Sequence, residues 1–221
     1  DQTTVVGASV DLRGLHMASD IDFNRKSFTT GHSGFGIPFL TWPDRTDVPR
    51  NCARGLRYLD RYALVTQGDV FYTTELLAKL EGMERGPAGN TSLTAAIRLA
   101  MELERDRIVV VQETEYTAAG KLPSSQLTFA KENGIEVRKG DPRDNIPGKV
   151  IVIPERIEQI QTEEMDLGKI RQSYIRNVLE TTKVKSPTED DILFIAEDSK
   201  SSVGFVRKLV DSAHSERADS V

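Results

Sequence analysis

The chain has 221 residues, 38% of them hydrophobic and 29% charged, and a net charge of -5. It is long enough to bury a sizeable core, and an acidic balance without a basic stripe argues against nucleic acid as a partner. No apolar run approaches the roughly 18 residues of a membrane span, DQTTVVGASV has no signal-peptide pattern, and the lone Cys52 excludes an internal disulfide and fits a reducing, cytoplasmic compartment.

The chain opens on Asp1, without Met, and passes almost at once into TTVVGAS (Thr3–Ser9), a short β-branched strand; this predicts a segment upstream. LRGLHMAS reads as a short helix. Residues 18–46 are polar and rich in Gly and Pro, and so read as loop. Asp47 then caps a helix with Pro49 in its first turn, running to about Tyr62 with Leu56 and Leu59 on one face. Tyr62–Thr66 is a second strand, and residues 69–83 form a helix carrying Leu76, Leu77, Leu80 and Met83. Asn90 or Thr91 caps the next helix, in which Leu93, Ala96, Ile97, Ala100 and Met101 recur at helical spacing. RIVVVQET (Arg107–Thr114) is a continuous apolar strand suited to the centre of a parallel sheet covered on both faces.

Ser124–Gly134 is a helix with a Gly stop, followed by short strands in IEVRKG and KVIVIPE. Leu167–Thr182 is amphipathic through Ile170, Tyr174, Ile175 and Val178, and Glu163, Glu164 and Asp166 before it favour its dipole. Ser186 caps a further helix with Pro187 at its first position, and Ser201–His214 forms the last. Strands alternating with helices give an α/β class: a mainly parallel open sheet flanked by helices, then a helical C-terminal region. The division expected is a core over residues 1–120 and an added α/β and helical extension over 121–221.

Three polar stretches invite chemistry. GHSGFG (Gly31–Gly36) could be a phosphate loop, a serine turn or a plain bend. A phosphate loop needs a strand before and a helix after, and IPFLTWP after it starts no helix. A nucleophile elbow needs G-x-S-x-G, whereas Ser33 here stands directly before Gly34. GPAGNTS (Gly86–Ser92) opens a helix and could hold an anion, or could be only a helix connection. QETEYTAAGK follows the RIVVV strand, and ligands of open α/β sheets bind beyond the carboxyl ends of strands. His16, His32 and His214 show no metal spacing, and no metal site is expected. Cys52 reads as a small core residue.

The order of VVGAS, GHSGFGIPF, YALVT, the segment LLAKLEGMERGPAGNTSLTAAIRLAMEL and IVVVQETE resembles fold-type-II pyridoxal-phosphate enzymes, the group of tryptophan synthase beta, cysteine synthase and threonine synthase. The likeness covers roughly residues 3–120 and rests on order and spacing rather than on any one motif. Gly34-Phe35-Gly36 with Pro38-Phe39 is similar to the loop that walls the cofactor in cysteine synthases. Pro87-Ala88-Gly89 is similar to threonine synthases, and the strand ending in Thr-Glu to diaminopropionate ammonia-lyases.

The resemblance implies pyridoxal 5'-phosphate as cofactor, with Thr114 placing a neutral hydroxyl at the ring nitrogen and Gly34, Phe35 and Gly36 along the ring. Cysteine synthases supply that hydroxyl from a serine at the place of Ala88, which has none. DLRGLHMASDID and GFGIPFLTWPDRTDVPRN resemble the thiolases of the group. These imply an amino-acid substrate of ornithine degradation, coenzyme A as cosubstrate and a small alpha subunit. No catalytic residue is assigned in this chain. The family's cofactor-anchoring lysine and phosphate loop fall before the point matching Asp1, and Lys26 does not match that lysine. The resemblance therefore implies a C-terminal portion working with an N-terminal half of the same enzyme, in an oligomer. The alternatives are another type-II lyase or synthase acting on an amino acid, or a non-catalytic α/β module binding an anion or partner at GPAGNTS.

Overall fold

A computed structural model describes residues 3–11, 56–87, 89–112, 123–146, 149–182 and 186–218. Among them are the strands β1 (Val6–Val10), β2 (Arg61–Val65), β3 (Glu136–Lys139), β4 (Val150–Ile153) and β5 (Glu163–Glu164). The helices are α1 (Gln67–Glu81), α2 (Asn90–Ala100), α3 (Pro123–Glu132), α4 (Leu167–Thr181), α5 (Glu189–Ser199) and α6 (Val203–Ala218). The described residues divide into two units, one drawn from 3–6, 56–62 and 165–218, the other from 7–11 and 63–164. The expected helix over LRGLHMAS and the first part of the one from Asp47 fall on residues 12–55, outside the described residues; the latter's expected run to Tyr62 is corrected, because Leu59 and Asp60 are not helical and β2 already begins at Arg61.

In the unit of residues 63–164, Thr66 starts α1. Its Oγ1 accepts from the Asp69 amide at 3.1 Å, and the Asp69 carboxylate takes the Thr66 amide and hydroxyl at 3.3 and 2.9 Å. This reciprocal box satisfies donors that the first turn leaves open, so α1 begins two residues before the predicted 69. It ends at Gly82, whose φ of 65° lets the chain turn away. The first half of α1 is buried, from Gln67 through Thr74 apart from Tyr72. Gly68 makes this possible: a Cβ there would stand 1.7 Å from the Val152 carbonyl oxygen. Phe71 enters a core with Ala130, Ile135 and Ile151, and Leu127, Val137 and Ile153 pack around it.

The strands form a three-stranded sheet in the order β1-β2-β5 and a two-stranded sheet of β3 and β4. β2 runs antiparallel to β5, with Ala63 opposite Glu164, while β3 and β4 are parallel, from Glu136–Val150 to Lys139–Ile153. The α/β class therefore holds, as small sheets with helices, whereas one mainly parallel open sheet is not what the described residues build. Glu163 and Glu164 make up β5 rather than serving the dipole of the next helix. Arg107–Gln112 is a second correction, because these residues are not in a strand. A strand needs a hydrogen-bonded neighbour, and among the described residues none stands beside this run.

α2 also departs from expectation. Gly89 occupies its N-cap with no side-chain bond, and Asn90 and Thr91 lie inside the first turn. Their side chains are turned to other acceptors. Asn90 Nδ2 donates toward Thr74 and Gly86, and Thr91 Oγ1 reaches the Pro87 carbonyl at 3.5 Å. α3 ends as predicted near Gly134, with φ of 75°.

In the other unit, Asp166 caps α4 by accepting from the amides of Gly168 and Lys169. The predicted inner face of Ile170, Tyr174, Ile175 and Val178 is buried, and so are Ile192, Ile195, Val206, Leu209 and Val210 of α5 and α6. Thr188, not Ser186, caps α5. It exchanges bonds with Asp191 three residues on, and Pro187 precedes the cap instead of opening the helix. Lys200 closes α5 at φ of 52°. The Tyr174 hydroxyl donates to Asp198, which also stands 3.5 Å from the Arg57 guanidinium. The Lys200 ammonium and the Val5 amide bind the Asp60 carboxylate and hold its pKa below the usual carboxylate value. Among the described residues, no helix is long and apolar enough to cross a membrane.

Candidate functional site

The residues predicted to wall or face a cofactor, Gly34, Phe35, Gly36 and Thr114, lie outside the described residues, as does Ala88. The rest of GPAGNTS is described, and it leads into α2, which with α1 carries a set of buried polar side chains that meet in a polar seam at Asn90 and Thr74. Gln67, Asp69, Thr73 and Thr74 come from α1; Asn90, Thr91 and Thr94 come from α2. Such groups are stable inside a protein when hydrogen-bonded and costly when not.

Part of the seam is satisfied. Asn90 Nδ2 lies 3.2 Å from Thr74 Oγ1, 3.2 Å from the Gly86 carbonyl and 3.4 Å from that of Arg85. Thr74 and Thr94 return their hydroxyls to the carbonyls of Val70 and Asn90, at 2.8 and 2.7 Å. Asn90 thus clamps the loop entering α2 onto α1. Among the described residues, Gln67 Nε2, Asp69 Oδ1, Thr73 Oγ1 and Asn90 Oδ1 are buried with no hydrogen-bond partner.

Asp69 is fully buried, and that burial pushes its carboxyl up to about 7. The Thr66 hydroxyl, then the Thr66 amide, oppose the rise, as does the Gln161 amide, which forms no full hydrogen bond with it. The charge of Asp141 adds slightly to the rise. Asp69 is therefore a carboxyl poised between its two forms near neutrality.

The expected strand end meets this region. Ser92 Oγ, in the first turn of α2, lies 2.9 Å from the Gln112 carbonyl. The chain two residues before Thr114 is thereby held at the N-terminal turn of α2. Sequence reasoning groups GPAGNTS and QETE by motif order, and the Ser92–Gln112 contact brings their flanks together. It misses the seam, because Thr and Asn near a helix start read as caps. The available signal is spacing: Asn90 and Thr94 stand four residues apart, the helical interval of one face.

No protein-family model matches the chain, and no solved structure does. Two curated proteins do. One is a 2-amino-4-ketopentanoate thiolase beta subunit of an unknown prokaryotic organism, 68% identical over 208 residues, covering 94% of this chain and 44% of that protein. The other carries the same name, comes from Acetoanaerobium sticklandii, and is 53% identical over 209 residues, covering 95% of this chain and 45% of its own length. The chain is thus similar along nearly all of its length to thiolase beta subunits, and it spans less than half the length of these curated relatives.

Proposed function

We propose that this chain is a portion of the beta subunit of a pyridoxal-phosphate-dependent thiolase. The reaction takes 2-amino-4-oxopentanoate and coenzyme A to acetyl-CoA and alanine, in cytoplasmic ornithine degradation, with a small alpha subunit as partner. The observation that carries this reading is 68% identity to a so-named beta subunit over 94% of the chain. The proposed reaction balances: the bond between C3 and C4 breaks, the acetyl group passes to the thiol sulfur, and the thiol proton is made up at C3, which becomes the methyl of alanine.

Pyridoxal phosphate, when bound, supplies an electron sink for the amino-acid substrate. This chain's contribution would be to orient it. Thr114 would offer its hydroxyl to the ring nitrogen, and Gly34, Phe35 and Gly36 would lie along the ring, where glycines let a flat group approach bare backbone. The placement of Gln112 against α2 supports this assignment for Thr114. So does Asn90 Oδ1 of α2, which is buried without a partner among the described residues and leaves polar capacity for a bound molecule. The covalent anchor of the cofactor and its phosphate site would come from the remainder of the longer polypeptide, within an oligomer.

The test uses the full-length polypeptide co-expressed with its alpha subunit. It should carry visible pyridoxal absorbance and form alanine and acetyl-CoA in equal amounts from 2-amino-4-oxopentanoate and coenzyme A. Thr114→Val should shift the absorbance or weaken cofactor retention. Cofactor without thiolysis would point to another amino-acid lyase or synthase of the type-II group. A protein that binds no cofactor and makes neither product ends the proposal.

A further inference from the structure

Residues 107–112 hold the largest mismatch between side-chain character and surroundings. Ile108 and Val110 are 88% and 90% exposed, while Val109 is 38% exposed and Val111 is partly covered. In an extended chain successive side chains alternate faces. Ile108 and Val110, two residues apart, are the bare pair, and Val109 and Val111 are the more covered one, which is the alternation a strand would show. Both ends of the run are held. The Arg107 amide donates to the Glu104 carbonyl at 3.0 Å, and Ser92 holds the Gln112 carbonyl at 2.9 Å. The run belongs to neither of the two small sheets. An anchored run whose middle, Ile108 to Val111, is uncharged and β-branched, and bare at Ile108 and Val110, has the properties of a strand that lacks its neighbours.

We infer that residues 107–112 are a vacant strand position, filled by polypeptide of the same longer chain lying outside these 221 residues. That polypeptide lends a strand to the backbone edge of the run and apolar side chains to the Ile108 and Val110 face. More than half of each curated relative lies outside the match, so the needed length is at hand. A covalently tethered segment acts at an effective concentration on the order of millimolar, which a second copy does not reach in dilute solution. The uncharged run from Ile108 to Val111 asks for an apolar neighbour rather than a charged one. The inference rests on the reading that this chain works within a longer polypeptide, and not on the cofactor or the reaction.

The test is hydrogen exchange on the unmodified full-length polypeptide, followed by photo-cross-linking from a benzophenone side chain at position 110. The amides of residues 108–112 should exchange at least ~100-fold more slowly than in a free peptide. The cross-link should join position 110 to a peptide outside the 221 residues, within one polypeptide. Exchange at free-peptide rates overturns the inference. So does a cross-link to this stretch itself, to a second copy (read as a doubled mass), or to the alpha subunit. Thiolysis without protection would sink this inference alone, and protection without thiolysis would sink only the functional reading.

Discussion

Ser92 Oγ and the carbonyl oxygen of Gln112 stand 2.9 Å apart, so the first turn of α2 holds the end of the apolar run. Gly89, the N-cap of α2, also lies within reach of that hydroxyl, at 3.2 Å. Ser92→Ala removes the tie without adding bulk. The expected cost is about 0.5–1.5 kcal/mol of stability, the usual net worth of one hydrogen bond. Urea unfolding of variant and parent measures it. Hydrogen exchange should show the loss concentrated at residues 107–112, and a uniform loss across the protein would remove the tether from the account.

Asn90 and Thr73 predict opposite signs. Asn90→Ala strips donors from Thr74 and from the carbonyls of Arg85 and Gly86, and should cost about 1–3 kcal/mol. Thr73→Val replaces a buried hydroxyl that has no partner among the described residues with an isosteric methyl. It should be neutral or stabilising by up to ~1 kcal/mol. If Thr73 meets a bound molecule in the working protein, the same variant will bind that molecule more weakly while melting no lower. Thermal melts with and without ligand separate the two effects.

Asp69 makes stability depend on pH in a definite direction. Its carboxyl rises from 3.8 in the unfolded chain to about 7 in the fold, so the folded state holds the extra proton between those values. Its contribution is fully present below pH 3.8 and is lost as pH rises through about 7. A tenfold change in proton affinity is worth ~1.4 kcal/mol, which bounds the swing at ~4 kcal/mol. The exposed carboxyls of Asp141 and Asp191, held low by Arg143 and by Thr188, lose their contributions only at more acid pH. Asp69→Asn should flatten the stability profile between pH 4 and 7. A variant that still tracks the parent across that window would assign the slope elsewhere.

Two glycines should respond in opposite ways to alanine. At Gly68 the added Cβ meets the Val152 carbonyl at 1.7 Å, and α1 must lift from β4. The expected loss is about 1–3 kcal/mol or more. At Gly204, in α6, nothing lies within 4 Å of the new carbon. There the gain in helix propensity should stabilise by a few tenths to ~1 kcal/mol. Melting temperatures of the two variants give both signs in one experiment.

Local signals read well where local physics decides. The face of Ile170, Tyr174, Ile175 and Val178 is legible because periodicity and burial agree within one helix. The stop at Gly134 is legible because left-handed backbone favours glycine. Caps are harder. Ser186-Pro187 carries the usual start signal, yet Thr188 wins because Asp191 stands three residues on to complete a box. The apolar run from Ile108 is strand-like in character but is not a strand in place, because pairing depends on a neighbour that residue identity does not reveal. The seam lies hidden for a related reason: a threonine looks alike in sequence whether it caps a helix or faces a buried partner.

The parallel pair of β3 and β4 bears on the order in which the chain can fold. It joins Glu136 to Val150 across a short crossover that contains a 3-10 turn at Pro142–Asp144, where a longer helical connection is usual. The pairing of β2 with β5 has to bring Ala63 to Glu164. Closing the short loop costs less chain entropy than closing the long one. α3, β3 and β4 can therefore assemble first as a local nucleus, giving α1 a surface on which to set Phe71 before either end of the three-stranded sheet has met its partner.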